Sequence, residues 1–402
     1  MNKGAGVKAG WQVTSLGEVL RKTETVDPLR SPDAEFDYID VSSISNQTFR
    51  IQGTQRLRGK DAPSRARRLV RVNDVLFATV RPTLRRIAIV PDELHNQVCS
   101  TGYFVLRPKP GFDHRFVFYW LFTEDFMGRM EGLQKGASYP AVTDGEVRAS
   151  SFAFPPLPEQ QRIAGILDEA FDGIATAKSN AEKNLQNARA LFESHLQAVF
   201  TQTGGGWVTT TIGEHIRFID YRGRTPKKTE SGLRLITAKN VKMGYLQEEP
   251  MEFVAPESYD DWMTRGIPRF GDVLFTTEAP LANVAQLDTD DKVVFAQRII
   301  IMQPDVSKLD NTFLKYLLLS QPVQRRIRTK GTGATVQGIK ASLLKAIYVS
   351  FPSSLVHQHQ IVDELDSLRE ESQRLESIYQ RKLAALDELK KSLLDQAFSG
   401  AL

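Results

Sequence analysis

Two stretches of this chain repeat one another in order over almost 200 residues, and that duplication constrains the fold more than any other feature. Trp11 with Gly17-Glu18 returns as Trp207 with Gly213-Glu214, and Asp74-Val75-Leu76-Phe77 before Pro82 returns as Asp272-Val273-Leu274-Phe275 before Pro280. Phe116 and Tyr119 return as Phe313 and Tyr316, and Lys135-Gly136 as Lys330-Gly331. Phe154-Pro155 leads into Gln160 and Ile163 as Phe351-Pro352 leads into Gln358 and Ile361, and Ser194, Leu196 and Phe200 match Ser392, Leu394 and Phe398. A unit this long lies far beyond the roughly 20–50 residues of a solenoid repeat, so each copy is a whole globule followed by a long helix. At 402 residues more than one core is expected in any case.

The predicted order is therefore a globule over 1–158, a helix over 159–203, a globule over 204–355 and a helix over 356–402, with Gly204-Gly205-Gly206 as a stop and flexible joint. In the first helix Ile163, Leu167, Ala170, Ile174, Ala177, Ala181, Leu185, Ala188, Phe192, His195 and Val199 follow four-three spacing, a heptad seam. The second offers Ile361, Leu365, Leu368, Leu375, Ile378, Leu383, Leu386, Leu389 and Leu393, larger residues that complement the alanines. Helices of about 40 residues span roughly 60 Å, too long to be buried in either globule. Short connections make them antiparallel partners. The fold class expected is mixed α+β: two duplicated α/β globules separated by an intramolecular coiled coil with approximate twofold symmetry. A homodimeric or trimeric coiled coil is the competing use of such seams.

Charge divides along the same boundaries. Residues 1–158 hold 22 Lys and Arg against 17 Asp and Glu, and 203–355 hold 20 against 16, whereas 159–202 hold 4 against 6 and 356–402 hold 6 against 9. Basic globules on acidic helices place any attraction for phosphate on the globules and leave the helices to protein partners. The densest basic run is Arg50, Arg56, Arg58, Lys60, Arg65, Arg67, Arg68, Arg71, Arg81, Arg85 and Arg86, opposed only by Asp61 and Asp74. It is the expected DNA face of the first globule, joined by Lys135 at the start of a polar loop. The second globule offers Arg222, Arg224, Lys227 and Lys228, then Lys239, Asn240 and Lys242, then Arg325, Arg326, Arg328 and Lys330. Arginine reads guanine or neutralises phosphate, and Asn240 has the donor–acceptor pair that suits adenine. A solvated basic surface is the alternative for each.

Hydrophobic residues at 41% and charged residues at 25% describe an ordinary globular chain rather than a disordered one. A lone cysteine, Cys99, and a start without a secretory apolar core point to the cytoplasm, and no run approaches a membrane span. No GxxxxGK[ST] loop is present, and Gly331-Thr332-Gly333 lacks the third glycine of a dinucleotide fingerprint. The consecutive prolines Pro155-Pro156 follow Phe154 and do not form the Asn/Asp-Pro-Pro-aromatic motif of an adenine methyltransferase. His357 and His359 lack further ligands at metal spacing and read as surface or capping residues, His195 as a packed seam residue and Cys99 as a buried structural thiol. No catalytic or metal residue is expected.

Pro155-Pro156-Leu157-Pro158-Glu159-Gln160-Gln161-Arg162-Ile163 opening a helix, and Ser392-Leu393-Leu394-Asp395-Gln396-Ala397-Phe398-Ser399-Gly400 at the end of another, resemble the specificity subunit of type I restriction-modification enzymes. The resemblance covers the whole chain. It implies two target-recognition domains reading the halves of a split DNA target, and helices that set the gap and bind two modification subunits. Those subunits would bring S-adenosylmethionine, and separate motor-nuclease subunits ATP, magnesium and cleavage, with no cofactor on this chain. Ser353-Ser354-Leu355-Val356-His357-Gln358 departs from the first copy's motif by lacking its prolines and glutamate, which makes equal docking at both ends less secure. Two other classes remain open: the reading portion of a fused restriction-methyltransferase, and a coiled-coil scaffold without DNA function.

Overall fold

The computed structural model describes residues 10–136, 138–201, 204–221, 226–333 and 337–402. The chain divides into two compact units, the first made of Met1–Ala181 with Arg381–Leu402 and the second of Glu182–Gln380.

In the first unit β1 (Gln12–Ser15), β2 (Glu35–Ile39), β3 (Gln55–Arg58), β4 (Ala66–Leu69), β5 (Val75–Ala78), β6 (Ile87–Ile89), β7 (Val98–Ser100) and β8 (Tyr103–Leu106) come first. Then α1 (His114–Trp120), α2 (Glu124–Leu133), α3 (Asp144–Arg148) and β9 (Ser151–Phe154) lead into α4 (Leu157–Thr201). An antiparallel ribbon of β1 and β9 ties the ends of the globule together. β6, β5 and β8 form an antiparallel sheet, and β3, β2, β7 and β4 a mixed one in which β2 and β7 run parallel. The run Val75–Ala78 is apolar at every position because both faces of β5 are covered. Val75 and Phe77 enter the core shared with α1, α2 and Ile163, Ala164 and Leu167, while Leu76 and Ala78 enter an outer core with Ile39, Tyr103 and Val105.

The second unit repeats the plan. β10 (Trp207–Thr211), α5 (Ile212–His215), β11 (Ile216–Asp220), β12 (Lys228–Thr229), β13 (Leu233–Ile236), β14 (Phe253–Val254) and α6 (Tyr259–Trp262) open it. β15 (Val273–Thr276), β16 (Val284–Gln286), β17 (Val294–Phe295), β18 (Ile299–Pro304), α7 (Asn311–Leu319), α8 (Gln321–Lys330), α9 (Ala341–Lys345), β19 (Tyr348–Pro352) and α10 (Leu355–Ser399) complete it. β10 pairs with β19 as β1 does with β9, β15 sits between β16 and β18 as β5 does between β6 and β8, and β13 runs parallel to β17 as β2 does to β7. Val273 and Phe275 again face the core shared with the long helices, and Leu274 an outer one. The long helices begin at Leu157 and Leu355.

Each globule is fixed to its helix by a buried glutamine. Gln160, 1% exposed, accepts from the Asp113 N–H (3.0 Å) and donates to the Pro155 carbonyl (2.8 Å), and Asp113 caps α1. Gln358, 0% exposed, accepts from the Asp310 N–H (2.9 Å) and donates to the Pro352 and Lys308 carbonyls (2.8 Å each), and Asp310 caps α7. Two turns on, Tyr119 donates to Asp168 and Tyr316 to Asp366. The far end of the other helix closes each core: Phe398 lies 5.0 Å from Phe116 in the first unit, and Phe200 lies 5.4 Å from Phe313 in the second.

Within each unit the helix segments run antiparallel. Arg162 meets Leu402 and Lys178 meets Asp387 in the first; Arg189 meets Glu376 and His195 meets Glu364 in the second. Ile163, Leu167, Ile174, Ile361 and Leu365 are buried, and Leu185, Phe192, Val199, Leu368, Leu375, Leu383, Leu386 and Leu393 half-buried. Two expectations for α10 are corrected: Ile378 (36%) and Leu389 (46%) are exposed. The seam passes instead through Ser372, whose hydroxyl donates to the Ala188 carbonyl, and through Tyr379 and Lys390. In both helices the four-three rhythm is broken by a four-four step, at Ala177-Ala181-Leu185 and Leu375-Tyr379-Leu383, which relaxes the supercoil and shifts the facing stripe by one residue. At the ends, Ile163, Leu167, Ile361 and Leu365 pack into globule cores as well as helix against helix.

One pair of helix positions is filled in opposite senses. Phe171 and Lys390 occupy the places that Arg369 and Phe192 occupy in the other copy. In the first unit the Lys390 ammonium lies 4.7 Å from the Phe171 ring and 4.4 Å from Phe49, on an outer loop. In the second, Arg369 lies 6.0 Å from Phe192 and donates to the carbonyl of Gly244, also on an outer loop, at 2.8 Å. Each cation stacks on a ring of α4 and ties an outer loop to α10, by a second cation–π contact in the first unit and by a hydrogen bond in the second.

Removing the amide in Gln160→Ala leaves a buried N–H and carbonyl unpaired and should cost about 2 kcal/mol, read as a lower urea midpoint; Gln358→Ala should behave alike. Lys315, 8% exposed, stands where the first unit has Phe118, and burial pushes its ammonium down to about 8. Because the folded state disfavours the charged form, Lys315→Met should stabilise by up to about 3 kcal/mol below pH 8. That gain should fade as the pH rises toward the lysine's ordinary value, which thermal melts across the range will show.

Candidate DNA interface

In the first unit the turn after β5, Lys135 and residues 138–141 form one tip, although more than 50 residues separate the turn from the others in sequence. Val80 bridges to Ala141, and Ala141 to Lys135. The Arg81 N–H donates to the Pro140 carbonyl (2.7 Å), Val142 to Thr79 (2.9 Å) and Thr79 to Gly102 (2.9 Å). Arg81 and Arg85 both adopt left-handed backbone, at φ 50 and 53. Such conformations are costly for non-glycine residues and concentrate where a side chain must be aimed. The Arg81 guanidinium stacks 5.3 Å from the Tyr139 ring and donates to the Ser138 carbonyl at 3.3 Å; Tyr139 is 73% exposed. Lys135 projects beside them, 3.7 Å from Glu146.

The second unit builds the same main-chain socket. Glu278 and Thr332 both bridge to Gly338, Ile339 donates to Thr277 (2.9 Å) and Thr277 to Arg298 (2.8 Å). The repeat is thereby corrected: Lys135-Gly136 is equivalent to Thr332-Gly333, not to Lys330-Gly331. Lys135 and Thr332 make matching bridges, and Gly136 and Gly333 both take positive φ, at 102 and 122.

The long basic run separates into two groups. Arg50, Lys60, Arg65 and Arg85 are exposed with no ion-pair partner among the described residues. Arg56 is paired with Glu35 and Asp37, Arg58 with Glu35, Arg67 with Asp27, Arg68 with Asp144 and Arg71 with Glu24. Arg86 is half-buried and donates to the Val41 carbonyl at 2.7 Å, a structural role in place of the expected surface one.

In the second unit Arg222 and Arg224 lie outside the described residues. Lys227 and Lys239 are exposed, Lys242 is half-buried and Lys228 pairs with Glu252 at 2.7 Å. Asn240 is corrected. It is 1% exposed; its amide donates to the carbonyls of Gln247, Glu248 and Pro250 and its oxygen accepts from Thr237, so no edge is left for a base. On α8, Arg325 bonds Gln321 and Arg326 bonds the Tyr348 carbonyl, while Arg328 and Lys330 are exposed with no ion-pair partner among the described residues. The matching α2 carries Glu124, Asp125 and Glu131, so basic charge sits at different places in the two units. Sequence reasoning missed Tyr139 as a single residue and the pair Glu278 and Arg298, 3.0 Å apart. An aromatic in a polar loop was the available signal for the first; nothing in linear order joins the other two.

Away from the tips Cys99 is buried, and His359 lies 3.5 Å from Asp310 at the α7 cap. No helix among the described residues is long and apolar enough to cross a membrane.

A model of the type I restriction modification DNA specificity domain matches residues 8–186 and 262–380. The specificity subunit of the type I restriction enzyme HindI from Haemophilus influenzae is 27% identical over 190 residues, 46% of this chain and 40% of that relative. The MjaVIII specificity subunit from Methanocaldococcus jannaschii is 22% identical over 315 residues, 72% of this chain and 70% of its own length. Among solved structures, a chain from a study of complex assembly and conformational transition of the type I R-M system superposes with a TM-score of 0.83 at 26% identity, covering 99% of this chain and 100% of that one. The HsdS subunit from Thermoanaerobacter tengcongensis gives 0.69 at 26% identity, covering 98% of each.

Arg85→Ala should weaken duplex binding and lower the slope of log affinity against log salt by about 1, since an unpaired exposed cation releases counterions on binding. Arg56→Ala, whose charge is already balanced by Glu35 and Asp37, should change the slope far less in the same titration.

Proposed function

This chain belongs to the type I restriction-modification DNA specificity family, and on that premise we propose that each of its units reads one half of a bipartite duplex target while α4 and α10 set the gap between the halves. The observation that carries the reading is the shared socket: two tips with the same main-chain hydrogen bonds carry different side chains, Arg81, Arg85 and Lys135 in one and Glu278, Thr332 and Arg298 in the other. Identical readers would serve a palindrome; like scaffolds with unlike tips suit two different half-sites.

The acidic outer faces of the paired helices are the docking surface for two modification subunits. Methyl transfer and its S-adenosylmethionine belong to those subunits. Cleavage, with ATP and magnesium, belongs to motor subunits where they are present. This chain supplies recognition and spacing and no catalytic group.

The test is co-expression of the chain with its modification subunits and mapping of methylated sites. A single bipartite motif is the expected result, and an assembled complex that adds no methylation would overturn the reading. Inserting four helical residues after Ala181, with a matching insertion in α10, should lengthen the spacer by about 6 Å and rotate one reader by about 40°. The gap of the motif should then grow by one or two base pairs with both halves kept; an unchanged gap would count against the helices as its ruler.

A further inference from the structure

The second unit's socket holds a charged pair that has no counterpart in the first. By the shared main-chain bonds Glu278 stands where the first unit has Val80, and Arg298 where it has Gly102. The first unit cannot hold the arginine. A side chain begun at Gly102 would meet the Val41 Cγ2 atom at 2.5 Å, because Val41 packs over that position. In the second unit the space is open, a cleft of about 280 Å³ lined by Thr277, Glu278, Gln297, Arg298, Thr332 and Lys340. Glu278 and Arg298 lie 3.0 Å apart with side chains 43% and 46% exposed, and Arg298 holds a left-handed backbone at φ 81. An exposed ion pair contributes little to stability, so folding alone does not account for a strained arginine at this position.

We propose that Glu278 and Arg298 together read one G·C base pair, in the half-site taken by the second unit. The assignment rests on the half-site reading above. A carboxylate only accepts hydrogen bonds and a guanidinium only donates them. In the major groove the guanine O6 and N7 offer the two acceptors that match the arginine fork, and the paired cytosine N4 amino group beside them offers the donor that a carboxylate needs. The two side chains already lie at the separation of neighbouring groups on one base pair. Lys340, exposed on the cleft's rim, and Arg328 and Lys330 at the end of α8 supply positive charge for the flanking phosphates.

The experiment maps methylation by the full complex carrying the wild-type chain, Glu278→Gln or Arg298→Ala. Both variants should lose discrimination at the same single G·C position, with methylation of the original sites down roughly tenfold or more and the other half of the motif unchanged. A motif left intact by both variants overturns the assignment, as does relaxation in the other half or at two different positions. If Arg298→Ala complexes methylate nothing, competition binding with duplexes differing only at that base pair decides. Equal binding supports the assignment, and retained preference for G·C overturns it. A wild-type chain that yields no bipartite motif would instead defeat the half-site reading itself.

Discussion

The structure depends on one buried amide used twice. Gln160 and Gln358 each join three things that would otherwise move separately: the first turn of a long helix, the strand end that precedes it and the capped start of the globule's central helix. A hydrophobic contact would hold these elements together without fixing their rotation. Directional hydrogen bonds in a dry site fix both, because a misaligned amide leaves polar groups unpaired at a cost of about 1–3 kcal/mol each. Tyr119 on Asp168 and Tyr316 on Asp366 add a second point two turns along, so each helix leaves its globule in a defined direction.

Much of this was legible in the linear sequence because duplication converts weak signals into paired ones. The long helices, the doubly buried strand at Val75–Ala78 and its repeat, and the heptad seam all follow from apolar spacing that appears twice. The errors came where a residue's surroundings, and not its own type, decide its role. Ile378 and Leu389 are apolar, yet the seam runs through their neighbours Tyr379 and Lys390 and leaves them outward. Asn240 has the right chemistry for a base and is consumed by its own loop. Of the basic run, the members on strands are paired with carboxylates, as Arg56 with Asp37 across the sheet and Arg68 with Asp144 of α3, whereas Arg50, Lys60, Arg65 and Arg85 sit on loops and turns without such neighbours. Charge density in sequence therefore marks a basic segment but does not separate its exposed, unpaired cations from those held by carboxylates.

The exchange of Phe171 and Lys390 for Arg369 and Phe192 has the same logic. Each contact needs one ring and one cation, and either of the two repeat-equivalent positions can provide either. In both units the cation comes from α10, and it reaches past the ring to an outer loop, to Phe49 in one and Gly244 in the other. The strand-rich outer cores are thus tied to a helix at a second point, remote from the glutamine, which limits how far they can tilt.

The two tips share a framework of backbone hydrogen bonds in which side chains take little part. Thr79 to Gly102 and Thr277 to Arg298, Val142 to Thr79 and Ile339 to Thr277 are main-chain contacts that any residue but proline can donate. A scaffold held in this way is indifferent to what projects from it. Substitutions at positions 80, 81, 139, 278 or 298 alter the chemistry offered to a ligand while leaving the framework's own bonds in place. Mutational drift at the rim is therefore decoupled from folding, and a lineage of such chains can wander through many binding preferences while keeping a single architecture.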